Sequence, residues 1–523
     1  VCGDDLILSY QGGAKRGQDR HTRCCRHPRA TKCRHSREIA FAVMRVSLTR
    51  TRVIAALSPR PLAKARCFGA IASGPRSRAA KQADGAVVVG GGLAGLAAAA
   101  ALTKVAGVKH VTVLERSSAA AFGDEQAGAA AQLGPNGLRA LRFFGGEPTL
   151  AAVRSAGTEL AGTAIHPAGG AATMLIPDSA QADTGLPQVM VRWGVLRAAL
   201  ANLLPEGGVV TGAGSDIAGY LLAGGGAVPA SASGAPVAFD MGGRQAAIAA
   251  PLLVAADGLR STFRPILLAG VENVQELGGA EAAVGGVVKD GGRTNIKAVV
   301  RQPLPPGFAA RHTHAYFSPG GGLAVFAGPA GDGWTYWAMS IADGVAAPLL
   351  AAASPGRNLR AAQLSVFNQF ASSLGCSEHG TQLLTNLISS EGNAAQFAAD
   401  LIGATDPARI LLQRSEEAIA VGPSLSGGGG HVVLVGDAAH GMSPAYGQAA
   451  NFAMEDAAVL ARCVRDAESL AEALQAYGEE RVARCREMTA RSAERAAKAM
   501  RGEMAEDVSK WIFEWDIDQH RQD

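Results

Sequence analysis

The sequence predicts an α/β fold: a Rossmann-like dinucleotide-binding unit, an antiparallel sheet further along the chain, and helices toward the C-terminal end. Three observations carry this. A glycine-rich loop links an apolar strand to a helix-like run within residues 85–116. Alternating runs broken by glycine-rich turns occupy 296–341. A strand, an Asp, a Pro-containing loop and a helix follow one another from His431 onward.

The first stretch is GAVVVGGGLAGLAAAAALTKVAGVKHVTVLER. Ala86–Val89 reads as a strand, Leu93–Lys104 as a helix and Val111–Leu114 as a second strand ending in Glu115, which lies twenty residues past Gly95. The glycines at 90, 92 and 95 complete a βαβ nucleotide fingerprint. Gly90 permits the tight turn, Gly92 lets the backbone approach a pyrophosphate, and Gly95 lets helix and strand pack closely. Leu93 and Ala94 open the helix, whose free N–H groups and positive dipole end suit phosphate. Glu115 can accept hydrogen bonds from a ribose hydroxyl pair, and Arg116 beside it joins the candidate cofactor contacts. A plain Gly/Ala turn is the simplest rival in a chain with 66 glycines. A transmembrane helix over the uncharged stretch 85–102 is another, opposed by the glycine run Gly90–Gly92. The expectation is a soluble chain without a transmembrane segment.

An apolar content of 48% and a charged content of 18% fit a globular enzyme with ample core. The net charge of +4 is unevenly distributed. Residues 1–83 hold 18 Lys/Arg against 4 Asp/Glu, leaving 31 against 41 in the remainder. The basic excess therefore belongs to the leader, and no nucleic-acid surface is expected on the body. Residues 44–83 carry nine Lys/Arg and no acid, with many Ser and Ala, the composition of an organelle transit peptide. Translation is expected to start at Met44, and a chloroplast is favoured over a mitochondrion; a retained basic tail is the alternative. Cys24, Cys25 and Cys33 with His21, His27 and His35 match no regular zinc spacing, so no metal is expected. Cys376, Cys463 and Cys485 are too sparse for a disulfide framework, which fits a reducing compartment.

Further on, Pro135–Gly137 reads as a turn before a short helix. Val189–Arg192 reads as a strand entering a helix that reaches about Leu204. Arg192, at that junction, suits either a surface salt bridge or contact with a flavin or phosphate. The run Leu252–Ala256 ends in Asp257-Gly258, a plain turn or a second element touching the dinucleotide. Tyr316, Phe317, Phe326, Trp334, Tyr336 and Trp337 line either a substrate pocket or ordinary sheet core. His312 and His314 read as exposed strand residues. The Gly-rich segments 221–234 and 424–430 read as loops. In the third signal a strand delivers Asp437 and a helix starts near Gly447. That joint can bind a ribityl hydroxyl through Asp437 and aim a helix N-terminus at a flavin ring. The apolar Trp511–Trp515 run reads as a docked tail, with a dimer contact as the alternative.

Together the Gly90–Gly95 loop, the Asp257-Gly258 turn and the GDAAH…P…G segment at 436–447 resemble the three fingerprints of the FAD-dependent group A monooxygenases. These are the aromatic hydroxylases similar to para-hydroxybenzoate and salicylate hydroxylases, with zeaxanthin epoxidase as a plastid relative. Tyr477-x-x-x-Arg481 adds to the resemblance, which covers about 84–490. It implies an FAD-binding Rossmann-like domain with an inserted antiparallel β-sheet substrate domain and C-terminal helices. The expected boundaries are 84–275 and 403–465 for the FAD-binding parts, 276–402 for the substrate domain and 466–523 for the helices, after the leader 1–83. It further implies that NAD(P)H reduces FAD and that O₂, through a flavin C4a-hydroperoxide, hydroxylates or epoxidises a small aromatic or isoprenoid-type apolar substrate. By resemblance Glu115 binds the adenosine ribose, Arg192 lies near the flavin, and Asp257 lies near the pyrophosphate, where the Asp-Gly turn also meets NAD(P)H. Asp437 holds the ribityl chain, and Pro444 and Gly447 lie beside the isoalloxazine. Gln448, Ala449 and Asn451 complete the expected cofactor contacts. No catalytic base is assigned, and His440 reads as packing at the strand end. The family pattern Gly-Gln-Gly is Gly447-Gln448-Ala449 here, so the Ala449 methyl is expected to affect flavin mobility and rate more than binding. The alternative is a flavoprotein that does not hydroxylate: a reductase, a cyclase-like enzyme or an inactive binder.

Overall fold

A computed structural model describes residues 84–166, 173–213, 235–240, 245–268, 288–345, 385, 396–418, 421–427, 430–501, 503 and 505–518. The expected leader, the 221–234 loop and Cys376 lie outside the described residues. Among those described, no helix is long and apolar enough to cross a membrane.

A six-stranded sheet organises the nucleotide half. Its order is Ser426–Gly427, Val432–Leu434, Leu252–Ala255, Gly85–Val89, His110–Glu115 and Val209–Thr211. All neighbours are parallel except the first pair. Parallel strands buried on both faces read as unbroken apolar runs, which is why GAVVV and LLVA are legible in the sequence. The helix Leu93–Lys104 is buried nearly all round, its alanines 97–101 being 0% exposed. Alanine lets it wedge between the sheet and the helix Ala449–Asp466. The chain 424–427, expected as a loop, supplies the short edge strand Ser426–Gly427.

A seven-stranded sheet forms the second half, in the order Leu411–Ala418, Val288–Val300, Thr335–Ala342, Leu323–Pro329, His312–Phe317, Gly162–His166 and Met174–Pro177. It is wider than the expected insertion. Two strands at one edge come from before residue 276, and the strand at the other edge comes from after 402. Strand pairing, not chain order, decides membership, and Gly162–His166 joins in parallel to His312–Phe317. That extra strand also corrects the reading of the histidines. His314 is 1% exposed. Its Nδ1 lies 3.0 Å from His166 Nε2, and its Nε2 lies 3.1 Å from the Ala309 carbonyl. His312 is half-buried.

Alternation along these strands separates two faces. Trp337, Tyr316, Ile296, Val325, Met339 and Ile341 pack under the helix Gln396–Gly403 as a closed core. The Trp337 indole donates to Thr405 Oγ1 at 2.8 Å. Trp337 and Tyr316 are therefore core residues. Phe317, Phe326 and Tyr336 stand on the opposite face. Trp334 and Tyr336 pack against Leu160, Met190 and Ala330, so this face is turned toward the nucleotide half.

The expected short helix after Pro135 is instead Pro135–Ala156, 22 residues long with a break at Gly146. The helix after Arg192 ends at Ala201. The C-terminal helices are Ala449–Asp466 and Leu470–Met500, the latter opened by a capping box of Ser469 and Glu472. The tail docks. Arg139 donates to the Trp515 carbonyl at 2.9 Å and Arg462 to that of Ile517 at 3.0 Å, while Arg484 stacks on Trp511 at 4.6 Å.

Candidate functional site

Because its core strands run parallel, the six-stranded sheet delivers four of the sequence signals to one edge: the Gly90 loop, Glu115, Asp257 and Asp437. Ligand crevices in open α/β sheets form at this carboxyl edge. Local sterics fix the loop. Gly90 has φ +110°, and a Cβ there would meet the Ala256 carbonyl oxygen at 2.2 Å. A Cβ at Gly95 would lie 1.9 Å from the Gly90 carbonyl oxygen. At Gly92 a Cβ would meet nothing within 4 Å, so this position borders free space. The tight turn and the close packing expected of Gly90 and Gly95 are thus explained by contacts, and Gly92 by an opening.

Glu115 is half-buried. Its Oε2 accepts from Gly91 N at 2.8 Å and its Oε1 from Ser117 N at 2.7 Å. These bonds hold the carboxylate at the mouth and leave one lone pair on each oxygen. Gly91 is constrained by the same contact, since a Cβ there would lie 2.8 Å from Glu115 Oε2. Arg116 is exposed at the strand end. Leu93 is buried and Ala94 half-buried. Ala94 packs beneath Gly436, where a Cβ would approach its methyl at 2.5 Å.

Asp257 Oδ2 accepts from Thr262 N at 2.7 Å and from Thr262 Oγ1 at 3.0 Å. Its Oδ1 is buried without a partner. Arg264, from the same segment, ties the second motif to the third by donating to the Asp437 carbonyl at 2.7 Å and the Ala438 carbonyl at 2.8 Å. The Asp437 side chain is exposed, with no hydrogen-bond partner among the described residues. It opens the short helix Asp437–His440, where an irregular loop was expected.

Pro444 and Gly447 bound a 3-10 turn, Pro444–Tyr446, ending at Gly447 with φ +65° and open space at its Cβ position. Ala449 is the first residue of the helix Ala449–Asp466, half-buried at its mouth. Neither this helix nor Leu93–Lys104 has a side-chain cap or an acid in its first turn. Their leading N–H groups are therefore available to an electron-rich ligand.

Two expected contacts turn out differently. Gln448 is 4% exposed, and its Oε1 accepts from Asn136 at 3.1 Å. Asn451 is 0% exposed: its Oδ1 accepts from Gly134 N at 2.8 Å and its Nδ2 donates to the Gln132 carbonyl at 3.0 Å. Both side chains staple the return helix to the 132–136 segment, so only their backbone remains for a cofactor. The sequence signal cannot distinguish a staple from a ligand contact, because both require an amide near a helix start.

Arg192 sits at its strand–helix junction, beside the second sheet. It stacks 4.9 Å over Trp334 and lies 3.7 Å from Asp332, while its Nε is buried without a partner. Asp332 has φ +51°. His440 is fully buried with Nε2 2.7 Å from Asp456 Oδ2, a packing position. His440, Asp456 and Cys485 bring ligand-type atoms within 4.8 Å of one another. Asp456 is already engaged by Gly436 N and the Arg481 guanidinium, whose positive charge opposes a cation there.

The residues fit FAD on structural grounds: glycine positions opening on free space, an orphaned Asp257 oxygen, an orphaned Arg192 N–H and two uncapped helix starts. Residues 88–142 match a family described as an NAD(P)-binding Rossmann-like domain, and 428–492 match one described as an FAD binding domain. The aurachin C monooxygenase/isomerase of Stigmatella aurantiaca is 28% identical over 407 residues, spanning 78% of this chain and 87% of that protein. Klebsiella pneumoniae HpxO, crystallised with FAD and uric acid, matches with a TM-score of 0.58 at 21% identity, over 82% of this chain and 93% of that one. Pseudomonas aeruginosa PqsL, in complex with 2-aminobenzoylacetate, matches at 0.55 and 18%, over 80% and 96%. The structural matches establish a shared fold. With the motifs, the two domain matches mark an FAD-binding, Rossmann-like chain that is similar to flavin monooxygenases. Within that class the chain is similar to the aromatic hydroxylases, with the glycine loop, the Asp-Gly turn and the Gly-Asp segment all at one sheet edge.

Proposed function

We propose that this chain is a monooxygenase that binds FAD, consumes NAD(P)H and O₂, and hydroxylates or epoxidises a small aromatic or isoprenoid-type apolar substrate. The observation that carries this is the convergence of Gly92, Glu115, Asp257, Asp437 and Gly447 on one crevice faced by the inner side of a seven-stranded sheet. The relatives support the substrate class: their descriptions name aurachin C, uric acid and 2-aminobenzoylacetate.

The assignment of parts follows the family resemblance, and the open space at Gly92 and Gly447 is compatible with it. Glu115 receives ribose hydroxyls, with Arg116 beside it. The helix start at Leu93 and Ala94 faces the pyrophosphate, with Asp257 and its free oxygen nearby. Asp437 accepts from the ribityl chain. Pro444, Gly447 and the first N–H groups after Gln448, from Ala449 to Asn451, border the ring, where a helix dipole stabilises negative charge. When bound, FAD supplies electron transfer from NAD(P)H and activation of O₂. The protein binds, orients and excludes water. No catalytic base is assigned.

The test is to purify residues 84–523, record the visible spectrum, and screen phenolic acids and carotenoids for stimulated NAD(P)H oxidation with matching oxygen uptake. A yellow protein with coupled uptake is the expected result. A yellow protein that oxidises NAD(P)H without substrate-linked oxygen uptake would favour the reductase alternative. Residues 44–83 are proposed as a transit segment, with the chloroplast favoured. Their basic, acid-free composition supports this, and sequencing the mature N-terminus tests it.

A further inference from the structure

The C-terminal segment 505–517 lies against both pieces of chain that border the start of the return helix Ala449–Asp466, and the flavin reading gives it no part. Its far end is core: Ile512, Phe513, Trp515 and Ile517 are buried. Phe513 packs on Gly134, where a Cβ would lie 2.7 Å from its ring. Gly134 N in turn donates to Asn451 in the return helix at 2.8 Å. The near end of the segment meets the turn Pro444–Tyr446. Tyr446 Oη donates to the Glu506 carbonyl at 2.9 Å, and the Arg495 guanidinium stacks 4.2 Å over the Tyr446 ring.

The helix Leu470–Met500 arranges these contacts through its period. Arg484, Arg491 and Arg495 are spaced by seven and four residues, so they lie along one face. Arg484 and Arg491 stack on Trp511 at 4.6 and 5.2 Å, and Arg495 stacks on Tyr446. One row of guanidinium groups thus holds tail and turn together. At the near end the join is made of point contacts rather than packed core. A cleft of about 250 Å³ lies between turn, helix and tail, bounded by Tyr446, Arg491, Arg495, Glu506 and Val508. Glu506 is exposed and Tyr446 half-buried. The hydroxyl–carbonyl bond and the stacked ring therefore carry the connection. Gly447 follows directly, with φ +65° and open space at its Cβ position. The turn that opens on this space is held from behind, through the side chain that precedes it.

We propose that the C-terminal segment is a strap that sets the position of the turn Pro444–Gly447, with Tyr446 and Arg495 as the positioning residues that transmit its hold. The inference rests on the flavoenzyme reading above, which puts Pro444 and Gly447 beside the flavin ring. Tyr446 and Arg495 act on the backbone that borders the ring, not on the ring itself. Two segments joined by one contact influence each other in both directions. A bound flavin holds the turn and so steadies the strap, and a seated strap holds the turn for the flavin. A tail that only closes the core would be indifferent to FAD.

The test is limited digestion of the full chain with trypsin, with and without FAD, following the cut after Lys510 by mass spectrometry. Lys510 lies in the short helix Ser509–Phe513. The cut therefore requires the strap to lift, and its rate tracks the lifted population. FAD is expected to slow the cut about fivefold, the scale of one net hydrogen bond. In Tyr446→Phe that protection should shrink to about twofold or less, with FAD content unchanged and the visible spectrum of the bound flavin shifted. Arg495→Met should lower the protection by a smaller factor. Because Arg495 is exposed, this second variant keeps the test decisive if the melting curve shows that Tyr446→Phe does not fold. A structural role alone would speed the cut equally with and without FAD. Protection by FAD that is equal in the unaltered protein and the variants, or absent from all of them, overturns this inference alone. A folded protein that refuses FAD overturns the flavoenzyme reading and this inference with it.

Discussion

Two polar regions of this molecule behave in opposite ways. Beneath the return helix, Glu455, Asp456 and Arg481 are all 0% exposed. Arg481 donates to Glu455 at 2.6 Å and to Asp456 at 2.8 Å. Arg484 and Asn136 add bonds to Glu455, and Tyr477 donates to the Leu434 carbonyl at 3.0 Å. Burial pushes the Asp456 pKa up, yet His440 and Arg481 beside it hold it at about 2. For His440 burial acts downward, and Cys485 and Asp456 outweigh it, so its pKa lies well above 6.5. At the sheet edge, by contrast, one Asp257 oxygen is buried and the Asp437 carboxylate is exposed, and neither has a hydrogen-bond partner among the described residues. Buried charges paired with one another hold a scaffold rigid, whereas an unpaired carboxylate oxygen at an opening is poised for a ligand. The Tyr477…Arg481 spacing that resembles a flavoenzyme motif belongs to the first kind: it fixes the strand end that presents Asp437.

The largest expected effect comes from breaking the closed network. Arg481→Met takes from two buried carboxylates the one cation they share, a loss of about 3–5 kcal/mol. The melting temperature should fall sharply with or without FAD, and an unchanged melting curve would mean the network is not structural. Next, Asp437→Ala should spare the apoprotein's melting curve, because the side chain is exposed, while FAD affinity falls by about tenfold or more. Equilibrium dialysis with FAD measures this, and equal affinity would remove Asp437 from the site. A smaller effect concerns pH. Burial lowers the His314 pKa from 6.5 to about 4. Between those values the unfolded chain binds the proton that the folded chain refuses, so stability rises with pH across that window and is complete above it. Urea midpoints should follow that slope, and His314→Gln should flatten it. The smallest concerns Ala449→Gly, which removes a methyl at the crevice mouth. FAD content should be preserved while the NAD(P)H oxidation rate changes; loss of FAD would contradict the placement.

Much of the site was legible because its requirements are local. Gly90, Gly95 and Glu115 follow from a turn, a close packing and a strand end, each set within thirty residues. Asp257 and Asp437 were legible because parallel strands buried on both faces form apolar runs that stop abruptly at the carboxyl edge of the sheet. Which face of the second sheet is closed was not, since alternating strands give the same pattern either way. For Asn451 and Gln448 the sequence left the side-chain partner open, because their amides could bind a ligand or another segment of the chain.

The sequence by itself determined the nucleotide-binding unit, the identity of the loops at its edge and the helical C-terminal part, because backbone sterics and hydrophobic periodicity act over short range. Only the tertiary structure decided which strands make up the second sheet, which of its faces meets the crevice, and which polar side chains are left without partners. Those outcomes depend on pairing between segments more than a hundred residues apart, such as Gly162–His166 with His312–Phe317. Long-range pairing assigns burial to one face and solvent or ligand to the other, and local pattern holds no record of that choice.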